Sequence, residues 1–479
     1  MAPRVSSTCN IDIAPTTNKL KFRTTTVFLI ILLSVLSSEA FKLPHSNQAT
    51  ISTIPTMNNT SNQDLSISKA IEFEDSSSSA STCTDDASYI QDLTVVEPHV
   101  GYKKVLVSGM YLPSTSSFGT HHFSKPSYHS FIHTCSSLSL GGAGFIGSHV
   151  AEYLLARGDD VVIIDEVNDY YDTSIKETNL SLLRKKYTPD RVSIYRGDIC
   201  DEELMTEIFE KEKPEWVCHL AARAGVRPSI QDPFVYIHSN IKGTTMLMEL
   251  SHRYGVKNFV FASSSSVYGG SKSTFFSEEE VVDNPVSPYA ATKKACELLA
   301  YTYHHLYNLN VSGLRFFTVY GDRGRPDMAP FKFIDRVSRG LEIQQFGDGS
   351  SSRDYTYISD IVDGVVRSID RPYPYEIFNL GKGNGTSLKE FIGLVQKHTG
   401  KKATINVLPN QPGDVPYTCA DVRKASKLLG YHAKVSFEEG IRRTVKWYKS
   451  ANEKDELQLC PERQANGLDR SPSFVVVSQ

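Results

Sequence analysis

Short apolar runs alternate with amphipathic stretches along most of the chain after its first hundred residues. The strand-like runs are 104–107, 161–164, 192–195, 216–220 and 259–262. The helix-like stretches between them are 150–157, 202–210 and 244–254. Runs that are apolar throughout are typical of parallel strands covered on both faces. The pattern therefore predicts an α/β protein with a doubly wound parallel sheet.

The sequence predicts that the chain is divided into four parts. They are a targeting and stem segment (1–100), a sheet domain (101–320), mainly a smaller C-terminal domain (321–450), and a polar tail (451–479). Helices are expected at 389–398 and 422–429 in the smaller domain. Residues 41–90 are rich in Ser, Thr and Asn without apolar periodicity, which predicts a disordered stem.

The N-terminal segment has the features of a targeting sequence. An apolar run at 27–36 follows Lys19, Lys21 and Arg23, and ends in Ser38-Glu39-Ala40. This favours a signal peptide, and a single short type II membrane anchor also fits. The expected location is the secretory pathway, in the Golgi membrane or lumen, where the sequons at Asn58-Asn59-Thr60-Ser61 would be meaningful. A plastid transit peptide is the alternative.

Composition excludes several classes of protein. The net charge of −3 argues against binding to nucleic acid. The eight cysteines are scattered without a C-x-x-C pair, so neither a zinc module nor a disulfide scaffold is indicated, and no metal site is predicted.

One motif is interrupted. Residues 105–109 read as a strand entering a glycine turn, whereas the matching glycine loop begins at Gly141. Removing the 32 residues from Met110 to Gly141 would restore an unbroken motif. The Ser- and His-rich insert, 110–141, lacks helical or strand periodicity and is predicted to be an unstructured loop. We interpret it as translated non-coding sequence, because its removal is clean; a metal site built on its four histidines matches no zinc spacing.

The glycine loop predicts a dinucleotide site. Gly141, Gly144 and Gly147 frame Phe145 and Ile146 in a G-x-x-G-x-x-G pattern that opens a helix. Such loops bring backbone N–H groups and a helix N-terminus to a pyrophosphate. Asp165 closes the next apolar run, where a carboxylate accepts hydrogen bonds from the adenine ribose and favours NAD over NADP. Asp198, after the following strand, is expected to meet the adenine.

A tyrosine and a lysine one helical turn apart carry the candidate chemistry. Ser287 can cap this helix and Pro288 can start it, which places Tyr289 and Lys293 on one face. A nearby ammonium, together with the nicotinamide cation, is expected to favour the phenolate of Tyr289. Ser264 lies in a hydroxyl cluster at the end of a strand, where doubly wound folds bind ligands.

The chain from about residue 103 to 450 resembles the extended short-chain dehydrogenases/reductases, and among them the UDP-glucuronate 4-epimerases. The stretches that carry the resemblance are GGAGFIGSHVAEYLLARGDDVVIIDEVNDYYD, HLAARAGVRPSI, SSSSVYGG, SPYAATKKACE, LRFFTVYG, GRPDMA, GDGSSSRDYTYISDIV and QPGDV. It implies a Rossmann domain that binds NAD tightly and a smaller domain that binds a UDP-sugar. It implies epimerisation at C4 through a 4-keto sugar, with Tyr289 as base, Ser264 bonded to the sugar O4, and Lys293 on the nicotinamide ribose.

The resemblance also implies substrate contacts. They are Arg353 near the pyrophosphate, Asp414 near the uridine ribose, and Arg325 on the substrate side. Ser265, Ser266 and Thr318 could bind the uronate carboxylate through neutral hydroxyls. Related decarboxylases and dehydratases carry an acid where Ser265-Ser266 stand, and UDP-glucose 4-epimerases usually carry Asn where Thr318 stands.

Three functions therefore stay open, in this order. They are a UDP-glucuronate 4-epimerase, a UDP-glucose 4-epimerase, and a cofactor-binding or inactive homologue whose glycine loop is interrupted. The resemblance further implies a homodimer formed through helices of the large domain, the helix bearing Tyr289 among them.

Overall fold

The computed structural model describes residues 96–99, 101, 103–107, 136–410 and 415–453. Its strands are β1 (Lys104–Val107), β2 (Ser136–Leu140), β3 (Asp160–Ile164), β4 (Val192–Tyr195), β5 (Pro214–His219), β6 (Asn258–Ser264), β7 (Val311–Phe316), β8 (Thr318–Tyr320), β9 (Ile343–Phe346), β10 (Ser352–Tyr357), β11 (Tyr375–Leu380), β12 (Gly385–Ser387) and β13 (Ile405–Leu408). Its α-helices are α1 (Phe145–Arg157), α2 (Thr173–Lys186), α3 (Glu202–Glu212), α4 (Val226–Gln231), α5 (Pro233–Tyr236), α6 (Gly243–Arg253), α7 (Pro288–Tyr307), α8 (Ala329–Arg339), α9 (Ile358–Asp370), α10 (Leu388–Thr399), α11 (Arg423–Leu429) and α12 (Phe437–Glu453).

The main sheet is parallel, with β11-β7-β6-β5 on one side and β3-β4 on the other, and both β1 and β2 pair with β5 and with β3 between them. Its central strands are apolar along their length, and β6 is buried at every residue. Helices cover both faces, since α1 packs against β3 while α7 packs against β6. The predicted doubly wound α/β fold is confirmed. The strand order reverses between β1 and β5, so the carboxyl ends of these strands open onto a crevice.

β1 and β2 take the same place in this sheet. Leu106 of β1 and Leu138 of β2 both align with Val162 of β3 and with Val217 of β5. The position between β5 and β3 accommodates one strand at a time, so β1 and β2 are alternative occupants of that position. The prediction of a loop through 110–141 is wrong at its end, because residues 136–140 pair as a strand. The offset between the aligned residues is 32, the length of the predicted insert.

The C-terminal part of the chain builds two small sheets and returns to the large one. β12, β10 and β8 form one small sheet, and β13 with β9 forms the other. β11, however, pairs with β7 over six residues of the main sheet. Residues 321–450 therefore mainly, but not wholly, lie outside the Rossmann sheet, and α12 continues to Glu453, past the predicted start of the tail.

The helix that carries the candidate chemistry begins as predicted. The Ser287 hydroxyl accepts a hydrogen bond from the N–H of Ala290 at 3.1 Å, and Pro288 is the first residue of α7. This cap fixes the start of the helix and hence the direction in which Tyr289 and Lys293 point.

No helix within the described ranges combines the length and apolarity needed to cross a bilayer. The predicted apolar segment at 27–36, the sequons at Asn58 and Asn59, and the tail beyond Glu453 lie outside the described residues.

Candidate active site

A cavity of about 420 Å³ opens at the carboxyl ends of the main-sheet strands. Its lining includes most of the residues singled out by sequence: Gly141, Gly144, Phe145, Ile146, Gly147, Asp165, Ser264, Ser265, Ser266, Tyr289, Lys293, Thr318 and Arg325. The volume lies in the usual range for small-molecule sites. The structure thus brings the glycine loop, the hydroxyl cluster and the Tyr/Lys helix to one place.

The glycine loop forms a tight turn directly before α1. Gly141 has φ +90°, in the left-handed region that favours glycine, and its carbonyl accepts a hydrogen bond from the N–H of Gly144 at 3.0 Å. A Cβ on Gly144 would lie only 3.2 Å from that carbonyl oxygen. The loop therefore leaves its backbone uncovered at the N-terminus of α1, which suits a phosphate group.

Asp165 lies beside this loop. Its carboxylate accepts hydrogen bonds from the N–H groups of Ala143 at 3.1 Å and Val167 at 2.8 Å. Burial raises the pKa of Asp165, and the charge of Lys176 partly offsets that rise. The side chain lines the cavity, the location expected for an acid that binds a ribose.

Tyr289 and Ser264 form the reactive pair. Ser264 ends β6 and is 7% exposed, and its hydroxyl hydrogen-bonds with the Tyr289 phenol. The N–H of Tyr289 donates to the Ser229 hydroxyl at 3.1 Å, which fixes the first turn of α7. A substrate hydroxyl placed between these two oxygens could transfer its proton to the phenol oxygen.

Lys293 is a buried residue of the cavity wall. Its Nζ donates to the carbonyl oxygen of Ala262 at 2.7 Å, and the side chain is 2% exposed. Burial lowers the pKa of Lys293 to about 8.

The expected stabilisation of the Tyr289 phenolate depends in part on a bound nicotinamide cation and stays a prediction. Burial raises the pKa of this phenol, although the Ser264 hydrogen bond and the charge of Arg325 act in the opposite direction. Desolvation outweighs both, because a phenolate in a buried wall loses its hydration. A phenolate at neutral pH therefore needs positive charge from a bound ligand.

Hydroxyl groups line another part of the cavity. Ser265 and Ser266 begin a 3₁₀ turn, Ser265–Tyr268, and Thr318 begins β8. Arg325 also lines the cavity, but its guanidinium pairs with Asp327 through Nε at 3.0 Å and Nη2 at 2.6 Å. Its charge is thus already balanced within the chain.

Two predicted residues, Asp198 and Arg353, are not part of the cavity lining, and the structure does not describe a third. Asp198 accepts hydrogen bonds from the N–H of Cys200 at 2.8 Å and pairs with His238 at 2.9 Å. Arg353 is on β10 and donates through Nη1 to the carbonyl of Ser352 at 2.9 Å. Asp414 lies outside the described residues. The roles assigned to them from the resemblance stay predictions.

Asn240 is a residue that the sequence reasoning missed. It is fully buried in a π-helical turn, Ile237–Lys242, a form often found at functional sites. Its side chain accepts from the N–H of Arg223 at 2.9 Å and donates to the Thr292 hydroxyl at 3.0 Å. It thereby ties the loop after β5 to the helix of Tyr289. No spacing in the sequence marks it, because the π-turn appears only in three dimensions.

One cluster outside the cavity has metal-ligand chemistry. Asp198, Cys200 and His238 place a carboxylate oxygen, a thiol and an imidazole nitrogen within 4.8 Å of one another. Burial raises the pKa of Cys200 to about 12, so the thiol stays protonated. The hydrogen bond between Asp198 and His238 already accounts for these groups.

Comparison with known proteins adds an independent finding. The profile of the family described as GDP-mannose 4,6 dehydratase matches residues 138–444. A UDP-glucuronate 4-epimerase from Thermodesulfobacterium geofontis is 48% identical over 313 residues, which are 65% of this chain and 95% of that protein.

Two solved structures are similar to 65% of the chain. The UDP-glucuronic acid 4-epimerase from Bacillus cereus, in complex with UDP-glucuronic acid and NAD, is 36% identical with a TM-score of 0.61, covering 65% of this chain and 98% of that one. The UDP-glucose 4-epimerase from Thermotoga maritima, with UDP-glucose, is 34% identical with a TM-score of 0.60 and the same coverages.

Proposed function

Because the chain belongs to the GDP-mannose 4,6-dehydratase family of NAD-dependent epimerases and dehydratases, we propose that it is a UDP-glucuronate 4-epimerase. The reaction inverts C4 of UDP-glucuronate to give UDP-galacturonate, and NAD is the cofactor.

The cofactor fits the observed site. The uncovered backbone from Gly141 to Gly144 suits its pyrophosphate, and Asp165 suits its adenine ribose. When bound, NAD supplies hydride chemistry and a positive charge close to Tyr289. That charge would lower the pKa of the phenol, which burial by itself raises.

The side chains of the chain supply the proton transfers. The Tyr289 oxygen accepts the proton of the sugar 4-hydroxyl, and Ser264 orients that hydroxyl through its hydrogen bond with the phenol. With the proton on Tyr289 and the C4 hydride taken up by the bound NAD, the sugar would be a 4-ketone; after it presents its other face, the hydride would return to C4 and the same phenol would return the proton. Lys293, fixed on the carbonyl of Ala262, lies where it can orient the nicotinamide ribose.

The choice of a uronate rests on one observation. Asp165 is the only acidic residue among the described residues that line the cavity, and it lies beside the glycine loop rather than the hydroxyl cluster. A 4-keto uronate is a β-keto acid and can lose its carboxylate, and a 4,6-dehydratase needs an acid/base near C5 and C6. Ser265, Ser266 and Thr318 offer neutral donors that bind the carboxylate without supplying that acid.

Substrate assays test this proposal. The purified protein is incubated separately with UDP-glucuronate, UDP-glucose and UDP-xylose, and the products are resolved by chromatography. We expect UDP-galacturonate from the first. Conversion of UDP-glucose alone would select the neutral-sugar epimerase, which the similarity to the Thermotoga maritima enzyme supports as second candidate. Absence of turnover with all three would favour a non-catalytic homologue.

We further propose that two copies of the chain associate through α7. Leu298 and Tyr301 are 59% and 54% exposed on this helix. The short α5 packs beside it and exposes Phe234 by 77%. Apolar side chains grouped on neighbouring helices are typical of an interface, and a second copy would bury them. Light scattering should give a dimer, and Leu298→Glu should give a monomer; a monomeric parent would refute the proposal.

We also propose that the chain enters the secretory pathway. The apolar run at 27–36 with its basic flank supports this. Expression of the full chain should give a protein that loses mass on treatment with an N-glycosidase, through Asn58 or Asn59. A plastid-localised, unglycosylated protein would instead support a transit peptide.

A further inference from the structure

Arg223 has a buried guanidinium whose hydrogen-bond donors are not all satisfied within the described chain. The side chain is 6% exposed, and neither its Nε nor its Nη2 has a hydrogen-bond partner among the described residues. A buried donor without a partner is strongly unfavourable, and a charged one more so. The neighbouring Arg325 differs, because both branches of its guanidinium pair with Asp327.

The position of Arg223 is fixed from two sides. Its backbone N–H donates to the side chain of Asn240 at 2.9 Å, and its carbonyl accepts from the same side chain at 3.1 Å. Its guanidinium lies over the ring of Tyr170, 5.2 Å from the centroid. The group is therefore held in place before any ligand arrives.

The guanidinium belongs to the wall of the cavity. Arg223 lines it together with Gly144, Ser264 and Tyr289. The Nε and Nη2 donors of an arginine form a planar fork that matches two oxygens of a phosphate or carboxylate.

We propose that Arg223 is an anion-binding residue of the active site, pairing through Nε and Nη2 with two oxygens of a bound ligand. The inference rests on the proposed function for the identity of that ligand. Phosphate oxygens of the dinucleotide or of the UDP-sugar, and the uronate carboxylate, share this chemistry.

Binding measurements test the proposal without turnover. Arg223→Met keeps the length of the side chain and removes the charge, while Arg223→Lys keeps the charge and removes the fork. Arg227→Met is the matched control, because this exposed arginine packs on Phe346, 4.6 Å from the ring centroid, and is not part of the cavity lining. Retained dinucleotide is measured after gel filtration, and binding of UDP-glucuronate and UDP-glucose by calorimetry.

Arg223→Met should weaken the binding of at least one ligand by about 10- to 100-fold, which is the usual effect of losing hydrogen bonds to a charged group. If only dinucleotide binding is lost, Arg223 binds the dinucleotide phosphates. If binding of both UDP-sugars is weakened equally, it binds the diphosphate of the UDP-sugar. If only UDP-glucuronate binding is weakened, it binds the uronate carboxylate. Arg223→Lys should weaken the same ligand, and Arg227→Met should change none.

Thermal stability separates this role from a structural one. Without ligand, Arg223→Met should melt no lower than the parent, because it removes an unpaired buried cation. Unchanged affinity for all three ligands, or a lower melting temperature with unchanged affinity, would overturn the proposal. An inactive parent that still binds ligands through Arg223 would refute the proposed function and leave this inference standing.

Discussion

Replacing Arg315 tests whether a buried ion pair fixes the catalytic helix on the sheet. Arg315 of β7 pairs with Glu297 of α7 through two hydrogen bonds of 2.9 Å, and the two side chains are 3% and 1% exposed. The Ser263 hydroxyl donates to the same carboxylate at 2.6 Å. Glu297 is one turn beyond Lys293, and Ser263 precedes Ser264, so the pair connects both candidate catalytic segments.

The expected loss follows from the burial of both charges. Removing one partner of a buried, hydrogen-bonded pair costs about 3–5 kcal/mol, and without Arg315 the only cation that the described structure leaves beside the Glu297 carboxylate is Lys294, at the longer distance of 3.7 Å. At about 2 °C per kcal/mol for a protein body of this size, Arg315→Met should lower the melting temperature by roughly 6–10 °C. Arg315→Met with Glu297→Met should lose less than either single variant, because no unpaired charge remains.

Calorimetric unfolding of the parent, the two single variants and the double variant completes the cycle. The control is Arg196→Met, whose partner Glu177 lies at 2.7 Å with side chains 53% and 40% exposed. An exposed pair contributes about 0–1 kcal/mol, so the control should melt close to the parent. Additive losses in the double variant, or a loss in Arg315→Met no larger than in the control, would refute the reasoning.

Four further predictions concern single features. Tyr289→Phe should lower epimerase turnover by at least about 100-fold while the retained dinucleotide stays unchanged, and comparable turnover would refute its role as base. Thr318→Val should lower kcat/KM for UDP-glucuronate by roughly 10-fold or more without a similar loss for UDP-glucose, and equal losses would exclude a carboxylate contact. Burial raises the pKa of Glu278 to about 7, so the stabilising contribution of this side chain is present at acid pH and lost as pH rises through 7. Glu278→Gln should therefore melt higher relative to the parent at pH 8 than at pH 5, and a constant difference would refute this. Deleting residues 110–141 should remove the entropic cost of closing a flexible loop of that length, about 3 kcal/mol. The melting temperature and the amount of retained NAD should both rise, and a decrease in either would show that the insert contributes to the fold.

The sequence predicted the parts of the site that depend on local spacing. The glycine loop, the cap at Ser287 and the one-turn separation of Tyr289 and Lys293 are fixed by short-range geometry, and the structure has them as expected. The hydroxyl cluster followed from its place at the end of a strand, since the carboxyl ends of parallel strands meet at one edge.

Features that depend on long-range packing were not predicted. The pairing of Arg223 with Asn240 joins segments that no periodicity relates, and the direction of the Tyr289 pKa depends on burial. The pairing of residues 136–140 as a strand also escaped notice, because Ser136-Ser137-Leu138-Ser139-Leu140 is too polar to read as a central strand.

The pairing of β11 with β7 determines where this protein can be truncated. β11 follows the two small sheets in sequence, yet it covers the edge of β7 along Val311–Phe316. A fragment ending near residue 320 would expose six residues of unpaired backbone on a strand buried throughout in the whole protein. Exposed edges of that kind pair with other chains, so such a fragment should aggregate on expression. Any experiment that isolates the dinucleotide-binding half must therefore retain 375–380, joined in place by a linker.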